Sequence, residues 1–402
     1  MRSAGNTSRN TWTSSRGSHS GEEWEEPSVP FFRRGTSDHT LLLLAIGLAA
    51  FGLVMVYSSS YIYAQERYGD GLYFFRRHIV FLGAGLAVMM ALRFIDYRNF
   101  RKLALPGFLA SLAGMVLVLI PGLGNKAGGA TRWLDLGFMT FQPVEFAKIA
   151  LVIYMARRFS KGRIELGDLR QGFLYQLWPP LALAALCMLQ PDFGSASLIV
   201  MMTAIFLYLA GVKFRFLFVS MLFSLPVFYF GIMSVPYRRA RLMTFLDPWA
   251  DPQGSGFQII QSFLAFHRGG LFGAGLGNSK EKLFYLPEAH NDFILSVVGE
   301  ELGFIGIALV CLAFMFLFFR AVKIAAKADD AFGSLLAGGI AVLLGLEVFL
   351  NAGIVLGLLP TKGMNMPFIS SGGSSILAAL IAVGLLLSVS AKVQGPAEDE
   401  VY

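Results

Sequence analysis

The sequence predicts an all-α, polytopic membrane protein with about ten transmembrane helices, on three observations. Hydrophobic residues make up 55% of the 402-residue chain and charged residues only 15%, whereas soluble domains carry about 25% charged residues. Apolar runs approaching the roughly 20 residues that a bilayer core demands recur along the chain. Basic residues cluster at the ends of those runs, a pattern of membrane topology and not of a nucleic-acid groove. The formal net charge of +7 therefore implies no nucleic-acid partner.

Residues 1–36 are rich in Ser, Gly, Arg, Glu and Thr, show little periodicity, and read as a disordered tail. The long lead before the first apolar run, with Ser58-Ser59-Ser60 a poor cleavage site, makes that run a retained span and not a signal peptide. Spans are expected at about 39–58, 78–94, 103–121, 143–158, 174–190, 194–212, 215–235, 293–319, 332–358 and 372–391. The fourth is the shortest. It opens with Gln142-Pro143, a proline suited to the first helical turn. Glu145 and Lys148 within it are three residues apart, hence on one helix face. The expected organisation is a tail over 1–36, one ten-span domain over 37–392 and a short tail over 393–402.

Short loops at one end of the spans carry Arg93, Arg98, Arg101 and Lys102, then Arg157, Arg158, Lys161, Arg163 and Arg170. Lys213, Arg215, Arg320, Lys323 and Lys327 extend the same set. The opposite loops hold only Arg67, Arg76, Arg77, Lys126, Arg132 and Lys362. The positive-inside rule places the first set, and both termini, in the cytoplasm. The long loop over 236–291 then faces outward. Phe257, Ile260, Phe263, Leu264 and His267 recur in it at helical spacing, which suggests a helix in the interface or packed on the spans. Gly269, Gly270, Gly273, Gly275 and Gly277 lack the strand context of a nucleotide loop and read as turns. Cys187 and Cys311 lie within apolar runs and give neither a disulfide framework nor a metal spacing.

The most informative stretch is Leu286-Pro-Glu-Ala-His-Asn-Asp-Phe-Ile294, which sets Glu288, His290 and Asp292 immediately before an apolar run. Carboxylates beside a hydrophobic phase are costly to keep and mark function, although a polar helix cap is the plainer reading. Other polar residues converge on the same outer side: Arg132 and Trp133, Glu145 and Lys148, Asp192, Thr361-Lys362-Gly363, and Ser370-Ser371-Gly372-Gly373-Ser374-Ser375. Each has a structural alternative. Glu145 and Lys148 can neutralise each other inside the bundle, and the serines and glycines can serve packing and backbone capping. Glu300 and Glu301 can orient Asp292, bond a broken helix end or face a wet cavity. No histidine is spaced for a Ser-His-Asp arrangement. A carboxylate base with outward cations suits a lipid-linked sugar pyrophosphate, whose acceptor hydroxyl must be deprotonated and whose leaving group needs stabilisation.

Several long motifs extend this reading. They are TRWLDLGFMTFQPVEFAK at 131–148, QPDFGSA at 190–196, PYRRARLMTFLDPWADPQGSGFQ at 236–258, LPEAHNDFILSVVGEELG at 286–303 and GLLPTKGMNMPFISSGGSS at 357–375. Over about Asp38 to Ser390 the chain resembles the SEDS (shape, elongation, division and sporulation) family, and Pro360-Thr-Lys-Gly363 resembles its division branch more than its elongation branch. The resemblance implies a ten-span fold and a peptidoglycan glycosyltransferase that polymerises lipid II at the septum of the bacterial cytoplasmic membrane. It implies Asp292 as general base, with Trp133, Glu145 and Lys148 around a central cavity. Arg132 and Lys362 are added on charge and placement as pyrophosphate contacts, and Glu288 as a further substrate contact. Phe284 stands where some relatives carry an acid, and Asn291 replaces the usual Thr. A class B penicillin-binding protein transpeptidase and other division proteins are the implied partners. No cofactor is implied; a divalent cation is left open. The competing readings are a lipid II flippase using Glu145, Lys148 and Glu347 as a path, an elongation polymerase, and a non-catalytic scaffold. The absence of a clear internal repeat and the one-sided polar residues weigh against transport.

Overall fold

The structure, a computed structural model, describes residues 37–127, 130–135, 137, 140–162, 164–280 and 289–393. The expected tail over 1–36 and the residues beyond 393 lie outside these. The chain runs through α1 (His39–Tyr68), α2 (Tyr73–Arg93), α3 (Phe100–Leu117), strands β1 (Gly124–Ala127), β2 (Ala130–Asp135) and β3 (Thr140–Phe141), and α4 (Pro143–Ser160). It continues through α5 (Trp178–Leu189), α6 (Phe193–Leu209), α7 (Phe214–Met233), α8 (Pro236–Leu246), α9 (Phe257–Gly269), α10 (Ile294–Lys327), α11 (Ala331–Val355) and α12 (Gly373–Val393).

Local chemistry sets many of the boundaries. Asp38, Asp192 and Asp330 each accept a backbone N–H in the first turn of α1, α6 and α11, satisfying donors that a helix start leaves without partners. Pro143 and Pro236 open α4 and α8, where a missing N–H costs nothing. Among the described residues, eight helices are long and apolar enough to cross a membrane: α1, α2, α3, α5, α7, α10, α11 and α12, with α3 and α5 counted together with their leading turns. Helices also form at the other two expected spans. α6 is apolar but has 17 residues, and α4 carries Glu145, Lys148, Arg157 and Arg158.

α12 is the most buried span and packs along α2, while α11 lies against α4, α6 and α10. α7 contributes none of its apolar window to the interior and packs mainly on α8 and α6. The amphipathic segment expected in the long outer loop is α9, which packs on α10.

Two local features are added to the helical bundle. The loop between α3 and α4 folds into a three-stranded antiparallel sheet in the order β1-β2-β3, with a bulge between Asn125 and Lys126. Thr131, Trp133 and the turn residues around them favour strand pairing over helix. α10 is broken at Gly303, whose φ of 68° and ψ of −167° suit only glycine. The glycine-rich turn after α9 fills the break: Ala274 and Gly275 N–H donate to the Glu300 and Glu301 carbonyls at 2.9 and 3.0 Å. Phe304 N–H returns a bond to the Gly270 carbonyl at 2.9 Å. Broken helices are tolerated at membrane depth only where other protein groups satisfy the freed backbone. The glycines therefore serve as turns and plugs. At the break the backbone carbonyls of Glu300 and Glu301 accept, while the Glu300 carboxylate accepts from Ser279 Oγ and from Lys280 N–H at 2.9 Å and the Glu301 carboxylate from Ser58 Oγ at 2.7 Å.

The two ends of the bundle differ in charge. Asp38 pairs with Arg320, and its N–H donates to Ser390 Oγ at 3.0 Å, so α1 begins and α12 ends beside the basic end of α10. Asp330 bridges to Arg98 and Arg101 at 3.5 and 3.2 Å, joining a second basic loop to that end.

Candidate active site

Asp292 sits on the turn that leads into α10, at the end opposite Arg320, and its carboxylate is half-buried. Its backbone is fixed from three directions. Asn351 Nδ2 in α11 donates to the Asp292 carbonyl at 2.9 Å and to the Met364 carbonyl at 2.6 Å. Ser370 Oγ donates to the Asn291 carbonyl at 2.7 Å, and Ser371 N–H to the His290 carbonyl at 2.9 Å. His290 is buried between Phe74 and Tyr63, with ring centroids 4.5 and 5.4 Å away. The serine motif thus acts as a clamp on the acidic turn. Gly363 crosses close over the carboxylate, since a Cβ there would stand 2.8 Å from Asp292 Oδ2.

Three cations lead from this point towards Asp192. The Arg241 guanidinium, from α8, donates to the Thr361 carbonyl at 3.0 Å and lies over the Tyr237 ring at 4.5 Å. It interacts favourably with Asp292 and unfavourably with Arg132. Arg132, on β2, donates to the Pro191 carbonyl at 2.7 Å and has its Nε 3.8 Å from Asp192. The Lys362 stem rests over Gly194 at the start of α6, where its ammonium interacts with Asp192, Lys148 and Arg132. Burial pushes the Lys362 pKa from 10.5 down to about 8, with Lys148 and Arg132 adding to the shift and Asp192 opposing it. Asp192 is itself committed, accepting from Ser195 N–H at 3.0 Å and Ser195 Oγ at 2.7 Å.

Deeper in the bundle, Lys148 is bonded to Glu145 at 2.9 Å and to Glu347 of α11. Lys148 is only 4% exposed, so a single cation lies between two carboxylates in the membrane-embedded interior. A crevice runs past Glu145 and Glu347 along a wall of Ala378, Ala379 and Ala382 on α12.

A family model described as a cell cycle protein, covering FtsW, RodA and SpoVE, matches residues 38–395. The chain belongs to the FtsW/RodA/SpoVE family. This is the SEDS family whose motifs the sequence resembles. A relative named probable peptidoglycan glycosyltransferase FtsW, from Geobacter sulfurreducens, is 46% identical over 89% of this chain and 96% of its own length. Stage V sporulation protein E of Bacillus subtilis is 38% identical over 89% of this chain and 98% of its own length. Among solved structures, a chain of a peptidoglycan synthase complex that coordinates polymerization and crosslinking aligns with a TM-score of 0.74 at 31% identity, covering 89% of this chain and 98% of that one. The rod shape determining protein RodA of Thermus thermophilus aligns with a TM-score of 0.65 at 28% identity, covering 88% and 97%.

Within this FtsW/RodA/SpoVE fold, Arg132, Lys148 and Lys362 fall in one electrostatic neighbourhood, with Asp192 at its centre and Arg241 linking Arg132 to Asp292. Trp133 is paired with Asn125 in the sheet. As the strand neighbour of Arg132 it leaves the opposite face. Glu288 and Phe284 lie outside the described residues. Two residues of the site were not singled out by the sequence. Arg241 was hidden among the arginines of the short helix α8, where charge is ordinary. Asn351 left a readable sign, an amide one turn after Glu347 in a mostly apolar span.

Proposed function

We propose that the chain is a peptidoglycan glycosyltransferase of the division branch, polymerising lipid II in the cytoplasmic membrane with Asp292 as general base. The observation that carries this reading is the placement of Asp292 beside Arg241 at the end of the bundle away from the basic loops, with Arg132 and Lys362 nearby. Asp292 takes the proton from the C4 hydroxyl of the acceptor GlcNAc. That oxygen attacks C1 of the donor MurNAc with inversion, and the C1–O bond to pyrophosphate breaks. Undecaprenyl pyrophosphate leaves with the electron pair, its charge held by Arg241, Arg132 and Lys362. Glu145, Lys148 and Trp133 belong to the substrate cavity, with Glu288 a further contact.

The names of the relatives support the activity, and the match to a synthase complex that joins polymerization to crosslinking supports pairing with a class B penicillin-binding protein transpeptidase. On this reading the chain crosses the membrane ten times, with α4 and α6 as spans. Both termini and the basic loops are then cytoplasmic, and the protein works at the septum with other division proteins. The test is purified full-length protein, with its transpeptidase partner, given labelled lipid II. Glycan ladders are expected. Movement of lipid II across a vesicle membrane without ladders would replace this reading with transport.

A further inference from the structure

An open cleft of about 430 Å³ lies at the basic-loop end of the bundle, opposite Asp292, beside the loop that follows α4, and is lined by Arg158, Ile164, Gln171, Tyr175, Gln176 and Trp178. Its volume falls within the roughly 300–1,000 Å³ of sites for small ligands. Three features make it a built site.

The first is an unsatisfied buried acceptor. Gln176 is 4% exposed, and its Nε2 donates to the Gln171 carbonyl at 2.6 Å, which fixes the amide orientation. Its Oε1 is buried without a hydrogen-bond partner. A buried acceptor with no partner is destabilising, and such groups are rare in native proteins. It calls for a donor, such as a hydroxyl.

The second is a held cation. The Arg158 guanidinium donates to Tyr154 Oη at 3.2 Å and to the Tyr175 carbonyl at 3.1 Å. Those bonds leave further donors on a fork suited to phosphate oxygens. Arg157, Lys161, Arg170 and Lys213 add positive charge to the same end of the molecule. The two nearby acids, Asp168, which caps the Leu169–Phe173 turn, and the exposed Glu165, are outnumbered by the cations Arg157, Arg158, Lys161, Arg170 and Lys213.

The third is position. Trp178 is 45% exposed and Tyr175 60% exposed, at the start of the apolar α5. Amphipathic rings with that exposure belong at the headgroup level of a bilayer. The Leu169–Phe173 segment just before them is a single π-helical turn, a form that recurs at functional sites.

We infer that this cavity binds the headgroup of an anionic phospholipid that carries a free hydroxyl, with the phosphate on Arg158 and the hydroxyl donated to Gln176 Oε1. The same chemistry is offered by a soluble glycerol phosphate; the interfacial rings favour the lipid. The inference does not rest on the polymerase reading.

The test is native mass spectrometry of the delipidated full-length protein with lipids of matched acyl chains. Phosphatidylglycerol should be retained about fivefold over phosphatidylcholine, the weight of one cation at a membrane surface. It should also be retained over phosphatidylmethanol, which has the same charge but no hydroxyl. Arg158→Gln should erase the first preference, and Gln176→Leu only the second, each read on delipidated variant protein that still melts cooperatively. Equal retention of phosphatidylglycerol and phosphatidylcholine by the wild type overturns the proposal without any variant. So does a preference that survives Arg158→Gln, or displacement of the lipid by millimolar glycerol 3-phosphate. Should Arg158→Gln not fold, Arg158→Lys must keep the preference for anionic lipid.

Discussion

Asn351 Nδ2 holds the backbone carbonyl of Asp292 at 2.9 Å, and its second proton holds the Met364 carbonyl at 2.6 Å. One buried amide in α11 thus ties the acidic turn to the loop that carries Lys362 and Gly363. Asn351→Leu leaves both carbonyls without this donor, at about 1–3 kcal/mol for each that stays unsatisfied. Misplacing a reacting group by about 1 Å can cost on the order of 100-fold in rate. The expected outcome is a fall in kcat of tenfold or more, with membrane abundance retained and the KM for lipid II little changed. Initial rates of ladder formation decide it; an unaltered kcat removes the positioning role.

Asp292→Asn preserves shape and removes the proton acceptor. Positioned general bases contribute about 10²–10⁴-fold, so residual polymerisation should be at most about a few per cent. Abundance and binding of the transpeptidase partner should be unaffected. His290→Ala should be milder, because His290 packs between Phe74 and Tyr63. Wild-type ladders from Asp292→Asn would sink the assignment of the base.

Arg241 has its charge placed by Tyr237 and the Thr361 carbonyl. Arg241→Gln should reduce kcat/KM for lipid II by about 10–100-fold, the range expected for losing one charge-assisted contact to a leaving group. Arg241→Lys should recover only part of it, since an ammonium lacks the planar fork. Full recovery by Lys would show that only net charge is needed there.

Lys362 gives the site a pH signature. With its pKa lowered to about 8 in the folded protein from an ordinary 10.5, the folded state binds fewer protons than the unfolded state between those values. Stability should therefore rise with pH across that window. Activity should move the other way, because the cation is lost as pH climbs through about 8. Lys362→Arg should flatten the alkaline limb of kcat/KM. A limb unchanged in Lys362→Arg assigns it to another group.

The buried Glu145–Lys148–Glu347 cluster is a triad and not a pair. Lys148→Met leaves two carboxylates facing each other and should lower abundance and thermal stability; breaking a buried ion pair costs roughly 3–5 kcal/mol. Glu145→Gln should be milder, since Glu347 still neutralises Lys148. A charge exchange, Glu145→Lys with Lys148→Glu, sets a new carboxylate against Glu347, so it should fail even if the cluster is purely structural. The informative variant is the neutral triple, Glu145→Gln with Lys148→Met and Glu347→Gln. Restored abundance with polymerisation still absent assigns the cluster to substrate.

The sequence by itself determined the class of fold, the helices that fill its spans, the amphipathic α9 and the family. These depend on local quantities: run length, hydropathy, the 3.6-residue period and motif order. It also singled out the acidic turn around Asp292, because a carboxylate beside an apolar run is conspicuous without any contact being known. Only the tertiary structure decided what surrounds Asp292. Arg241 is 51 residues away in sequence and Asn351 is 59 residues away. Their relevance comes from the Arg241 bond to the Thr361 carbonyl and the Asn351 bonds to the Asp292 and Met364 carbonyls, which no local pattern encodes. The same holds for Glu347, which turns a helix-face pair into a triad from 199 residues away. The break at Gly303 is likewise a tertiary decision. A glycine can take that backbone conformation, but only the turn after α9 supplies the hydrogen bonds that make a broken helix stable inside a membrane.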